Sequence, residues 1–233
     1  MSTALPEAWD VADLFVAAVL AGNEPAAAGW CTADAWLTAG DSPARLYRDV
    51  VSRGLQLTAD DVERSGDRAV AGVQVVHPAR PDRPRMVQLL LLEGADGWQV
   101  DGLALGALHA SAFLAGTVDA RPTLVEADGA ALAGLASPEG RVGRRLAMRL
   151  AQVAESGGSW SVARARALPG LGRAELLVVS TLPGEAPQEV WVYLDVASGF
   201  VLGEDAHPSW GSLFAALPEP ETEEEHDPRM VVP

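Results

Sequence analysis

The sequence predicts an α+β fold of two tandem modules, each a set of helices followed by a bent antiparallel sheet. Three observations carry this reading. Hydrophobic residues make up 48% of the 233 residues, enough for full cores. The apolar period shifts from helical to strand-like near Gly54, and again near Ser159. Short segments also recur at matching places, which marks an internal duplication. Val19-Leu20-Ala21-Gly22 parallels Phe113-Leu114-Ala115-Gly116, and Ser42-Pro43 parallels Ser137-Pro138. The turn Leu92 to Trp98 parallels Leu194 to Phe200.

In the first module, expected at residues 1–104, Val11, Leu14, Phe15, Ala18 and Val19 follow helical spacing up to Gly22. A second, Ala-rich helix is expected over Pro25 to Trp36. A third opens with Ser42 as N-cap and Pro43 at the first helical position, and closes at Gly54. Strands are expected at Leu55–Glu63, Arg68–His77, Met86–Glu93 and Trp98–Gly102. Pro78 to Pro84 reads as a proline-rich hairpin loop, with Arg80, Arg83 and Arg85 as an exposed basic feature.

The second module, expected at 105–208, opens with a helix over Leu105 to Ala115. A longer helix follows, with Ser137 as N-cap and Pro138 to Glu155 as its body. Strands are expected at Ser159–Ala167, Arg173–Leu182, Glu189–Asp195 and Phe200–Glu204. Residues 209–217 read as a short amphipathic helix, with Trp210, Leu213, Phe214 and Leu217 on one face. The stretch 218–233 carries six carboxylates and one arginine and is expected to be disordered.

Val87 to Leu92 and Val190 to Leu194 are apolar without alternation, so both faces of these strands should be covered. Packing of the two modules through their sheets, as a pseudo-dimer, is the economical expectation. A monomer or a homodimer are the other states considered.

Helices leading into a bent sheet, with Ala95-Asp96-Gly97-Trp98-Gln99-Val100-Asp101 as its closing strand, resemble the nuclear-transport-factor-two-like superfamily. This is the cone-shaped fold of the SnoaL-like and cystatin-like proteins. The resemblance covers residues 8–104 and, less closely, 105–205, where Phe200 replaces the tryptophan. It implies a fold and no activity. It also implies a possible pocket between helices and sheet, for which the candidate ligand-binding residues are Trp30, Trp36, Tyr47, His77, Trp98 and Asp101. A shielded carboxylate or imidazole there would serve as a general base.

Composition closes several routes. The net charge is −15, all 17 basic residues are arginine, and lysine is absent. No phosphate-loop lysine or lysine Schiff base is therefore available. The acidic balance argues against nucleic acid and anionic membrane surfaces as partners. Cys31 is the single cysteine, and four scattered histidines match no metal motif, so no cofactor or metal is expected. Missing lysine and isoleucine, with abundant alanine, fit a high-GC bacterial genome. No basic leader precedes the first helix, which suggests a cytoplasmic protein.

No catalytic motif is present, so an interaction protein is favoured over an enzyme: an adaptor, immunity-like inhibitor or assembly factor that binds another protein. Arg141, Arg144, Arg145 and Arg149 form one helical stripe suited to an acidic segment. Trp210, Phe214 and Met230 are the apolar candidates on the partner-binding side. The alternative is a small apolar-ligand binder, or an isomerase- or cyclase-type enzyme using the cone.

Overall fold

The computed structural model describes residues 5–38 and 40–217. The chain falls into two compact units: residues up to 124 with 168–171, and 125–167 with 172 onward. Each combines helices with one antiparallel sheet.

The first unit begins with four helices: α1 (Ala8–Leu20), α2 (Glu24–Gly29), α3 (Ala33–Leu37) and α4 (Pro43–Arg53). Ser42 caps α4 by accepting the Arg45 N–H at 3.3 Å. Gly54 ends it in the left-handed region, at φ 61°, where the missing Cβ removes the steric penalty. A four-stranded sheet follows in the order β1 (Gln56–Ser65), β2 (Arg68–His77), β3 (Arg80–Gly94), β4 (Gly97–Leu103). Helix α5 (Ala107–Leu114) then returns to that sheet.

Alternation within β2 and β3 divides their side chains between two faces. Ala69, Ala71 and Val73 stand opposite Leu91, Leu89 and Val87, and this face meets α1, α2 and α4 around Phe15 and Val19. Val70 pairs with Leu90 on the other face, which packs against Ala110 and Phe113 of α5. The unbroken apolar run of β3 is thus explained inside the first unit. A second sheet is not needed to cover it. Helix α5, expected to open the second module, belongs to the first, so the divide falls at 124/125 rather than 104/105. Phe113 to Gly116 also sits on the face opposite α1, so its match with Val19 to Gly22 does not mark equivalent places.

The second unit runs β5 (Val125–Glu126), α6 (Gly129–Leu135), α7 (Gly140–Glu155), β6 (Ser159–Leu168), β7 (Arg173–Thr181), β8 (Gln188–Asp195), β9 (Val201–Asp205) and α8 (Trp210–Leu213). Its sheet keeps the order β5-β6-β7-β8-β9. Ala174, Leu176 and Val178 oppose Leu194, Val192 and Val190, and these residues share a core with Leu132 of α6 and Leu146 of α7. Glu175 and Leu177 oppose Tyr193 and Trp191 on the other face. Helix α8 packs on β7, β8 and β9. The tight turns before Gly97 and Gly199 occupy the same place in the two sheets, between third and fourth long strands. At Gly199, φ is 71° and a Cβ would strike the Leu135 carbonyl, so glycine is required.

Local departures have tertiary causes. The expected helix Pro25 to Trp36 breaks at Trp30–Thr32, because the backbone there pairs with β4. Val100 N–H donates to the Trp30 carbonyl at 2.9 Å, and Thr32 N–H to the Val100 carbonyl at 3.0 Å. The expected loop Pro78 to Pro84 shrinks to a two-residue turn, and β3 carries both Pro81 and Pro84 on an exposed stretch. Ser137 does not cap α7; its hydroxyl accepts the Glu139 N–H at 3.1 Å, and the helix starts at Gly140. The amphipathic helix expected over 209–217 is shortened to Trp210–Leu213. The acidic stretch 218–233, with Met230, lies outside the described residues.

Candidate functional site

The candidate pocket is best judged from Asp101, its carboxylate. Leu91 pairs with Val100 and Leu90 with Gly102, so Asp101 is the extra residue of a β-bulge. Bulging turns its side chain toward the link between α2 and α3, where it is 6% exposed. Thr32 Oγ1 donates to Asp101 Oδ1 at 2.5 Å, and Arg121 Nη2 donates to the same oxygen at 3.0 Å. Arg121 Nη1 also lies 3.6 Å from Asp34. The Thr32 hydroxyl in turn accepts the Ala35 N–H at 3.3 Å, capping α3. The Asp101 carboxylate is therefore tied to a cation and a capping hydroxyl, and its work is to join β4 to the start of α3 and to the segment holding Arg121. Beside it, the Cys31 thiol is pushed up to about 12, by burial first and by the Asp101 charge second. It is a buried core thiol that donates to the Ala27 carbonyl at 3.5 Å.

The remaining pocket residues do not converge. Tyr47 is buried and donates its hydroxyl to the Gly22 carbonyl at 2.8 Å. Trp36 packs beside it, ring centroids 5.9 Å apart and tilted by 54°. Trp98 lies under the Arg64 guanidinium, 4.8 Å from it, and Arg64 is held by Glu93 at 2.9 Å and Glu7 at 3.2 Å. Trp98 stands opposite Glu93 on β3, whereas His77 stands opposite Arg80 at the far end of that strand. At about 3.3 Å per residue the two are tens of ångströms apart along the sheet, so no single pocket holds both. His77 is exposed at the hairpin end. Trp30 is half-buried and lends its backbone to the β4 pairing.

One buried imidazole was outside the candidate set. His109 of α5 is fully enclosed; its Nδ1 accepts the Leu105 N–H at 3.2 Å, and Nε2 meets the Asp119 carbonyl at 3.0 Å. Burial lowers its pKa below the ordinary value of 6.5, against the opposing pull of the Asp119 carbonyl. It is held as a neutral structural linker. It lies inside the helix expected over Leu105 to Ala115, and no spacing in the sequence singles it out.

The arginine stripe of α7 is partly spent on its own sheet. Arg145 Nε pairs with Glu204 of β9 at 2.6 Å, and Arg149 Nη2 donates to Gln188 of β8 at 3.2 Å. Arg141 and Arg144 are exposed, and Met148, one turn on, is 73% exposed. Phe214 is buried, and Trp210 stacks near it at 6.5 Å between centroids. Among the described residues no three metal-binding side chains come together, and no helix is long and apolar enough to cross a membrane.

No family model and no curated protein matches the sequence. Among solved structures, one similar chain is an NTF2-like protein of unknown function from Cytophaga hutchinsonii. It is 13% identical, with a TM-score of 0.32 over 42% of this chain and 88% of that one. The chain is an α+β protein of two helix-plus-antiparallel-sheet units, and an NTF2-like protein is what it is similar to.

Proposed function

We propose that the protein is a non-catalytic interaction module, an adaptor, immunity-like or assembly factor of a high-GC bacterium, that recognises another protein by its surface. The observation that carries this reading is the state of the first unit's interior. Its buried polar groups, Asp101, His109 and the Tyr47 hydroxyl, all have partners within the unit. A general base needs a free lone pair facing its substrate; His109 Nδ1 already accepts the Leu105 N–H, and Asp101 Oδ1 accepts from Thr32 and Arg121.

The outer face of α7 is the recognition surface favoured here. Arg141 and Met148 share one side of α7, offering a guanidinium fork for carboxylates beside an exposed flexible apolar side chain. Such a stripe suits an acidic, amphipathic partner segment. Native mass spectrometry of the protein isolated from its own host tests the reading. A stoichiometric second polypeptide on the wild type, lost from Arg141→Glu/Met148→Glu with the fold intact, supports it. Retention of that polypeptide by the variant removes the α7 surface. A retained small molecule in place of a polypeptide contradicts the interaction reading.

A further inference from the structure

The carboxyl end of α4 and the end of the β2–β3 hairpin enclose a groove of about 640 Å³ in the first unit. Four arginines line it, Arg53, Arg80, Arg83 and Arg85, together with His77. Leu55, Val75 and Pro84 supply its apolar lining. The chain builds it from two local devices. Gly54 turns the chain sharply after Arg53, bringing Leu55 into the wall. Along the hairpin, Val75 opposes Arg85 and His77 opposes Arg80, so residues 81–84 bulge out of register. Pro81 and Pro84 fix their own φ angles within that bulge.

Few carboxylates answer this positive charge. Arg53 lies 3.5 Å from Asp49, and Arg83 lies 3.8 Å from Asp82. Both are exposed pairs, which hold weakly in water. Arg80 and Arg85 have no ion pair among the described residues. His77 Nδ1 accepts the Ala79 N–H at 3.1 Å, which leaves the proton on Nε2 as a donor. No carboxylate is among the residues lining the groove, so its wall is cationic on a chain of net charge −15.

We infer that this groove binds a small polyvalent organic anion, with its anionic groups on the arginines and its body against Leu55 and Val75. Guanidinium forks match phosphate and carboxylate oxygens two at a time. The groove falls within the range of about 300–1,000 Å³ typical of small-ligand sites. A long polyanion such as nucleic acid is disfavoured by the acidic remainder of the chain. The inference is independent of the α7 surface and survives or fails without it.

The test is calorimetric titration of the full chain, at low and at high salt, with three probes: inorganic pyrophosphate, magnesium-free ADP and citrate. Saturable, salt-sensitive binding of at least one probe is expected. Its affinity should fall at least about tenfold in Arg80→Glu/Arg85→Glu, the loss of one or two charge-assisted contacts. Arg80→Ala/Arg85→Ala should weaken it less, and Arg141→Glu/Arg144→Glu should leave it unchanged. ADP binding more tightly than pyrophosphate and citrate assigns a phosphate ester; citrate binding most tightly assigns a polycarboxylate. No saturable binding of any probe overturns the proposal. So does equal binding by the wild type and both Arg80/Arg85 variants, provided their far-UV spectra match.

Discussion

The two units solve one problem differently. Each has a sheet whose first face meets helices and whose second face is approached by a short helix that follows the last strand. In the first unit the part of that face under α5 is an apolar patch: Val70 and Leu90 against Ala110 and Phe113. Beside this patch Arg68 donates from Nη1 to the Phe113 and Val118 carbonyls at 3.1 and 2.7 Å, closing the carboxyl end of α5. In the second unit the corresponding face holds charge. Glu175 is 2% exposed and pairs with Arg166, whose guanidinium also lies 5.5 Å from the Trp191 ring. Tyr193 accepts the Ser209 N–H at 2.6 Å, fixing the approach to α8. Apolar burial is non-directional and tolerates imperfect alignment, whereas a buried ion pair stabilises only when its geometry is met. An eight-residue helix suffices for the first arrangement. The four-residue α8 adds the Tyr193 bond and the Ser212–Asp205 bond at 2.9 Å.

The largest effect should come from breaking the apolar side of this comparison. Phe113→Ala empties a fully buried site and should cost about 3–5 kcal/mol in denaturant unfolding. Removing one partner on the charged side, by Glu175→Ala, should cost about 3 kcal/mol because Arg166 is left uncompensated. The paired change Arg166→Met/Glu175→Leu should recover most of that loss. A double variant as unstable as Glu175→Ala would mean that the ion pair itself holds the face.

Acid should separate the units by pH window. His109 has a lowered folded pKa, so its stabilising effect is full above 6.5 and is lost as pH falls below that value. Asp195 is pushed up by burial. Two bonds from Ser198 and the Arg173 charge outweigh this, so its folded pKa is lowered. Its contribution is full above the ordinary 3.8 and is lost at lower pH. Stability measured against pH should therefore fall first below about 6.5, and His109→Gln should flatten that limb alone. The smallest effect is Tyr47→Phe, which loses the bond to the Gly22 carbonyl and should cost about 1 kcal/mol in the same unfolding assay.

The strands were legible because alternation and glycine turns are local signals. Arg68–His77 was read to the residue, and β4, β6, β7, β8 and β9 within one residue at each end. What escaped depends on distant partners. Nothing near Trp30 announces that Val100 will interrupt a helix there. The side to which α5 packs is decided by Val70 and Leu90, not by α5's own pattern. Helix α6 (sequence GAALAGL) has too few large apolar residues to show a period, although Asp128 caps it through Ala130 and Ala131. The pocket residues illustrate the same limit. Asp101 is legible as the last residue of the Ala95 to Asp101 motif and as a candidate pocket carboxylate, but its bulge and its Arg121 partner are tertiary facts.

The central claim is that the first unit's interior is closed and its polar groups are engaged, leaving recognition to the surface. Cys31 reports on it directly, being the single cysteine, 4% exposed and beside Asp101. Its labelling by a thiol reagent should be followed in the native full chain at neutral pH. The account predicts modification no faster than unfolding of the unit, accelerating in denaturant in step with loss of structure. Rapid modification of the folded protein, at a rate approaching that of an unfolded control, would show an open interior and contradict the claim.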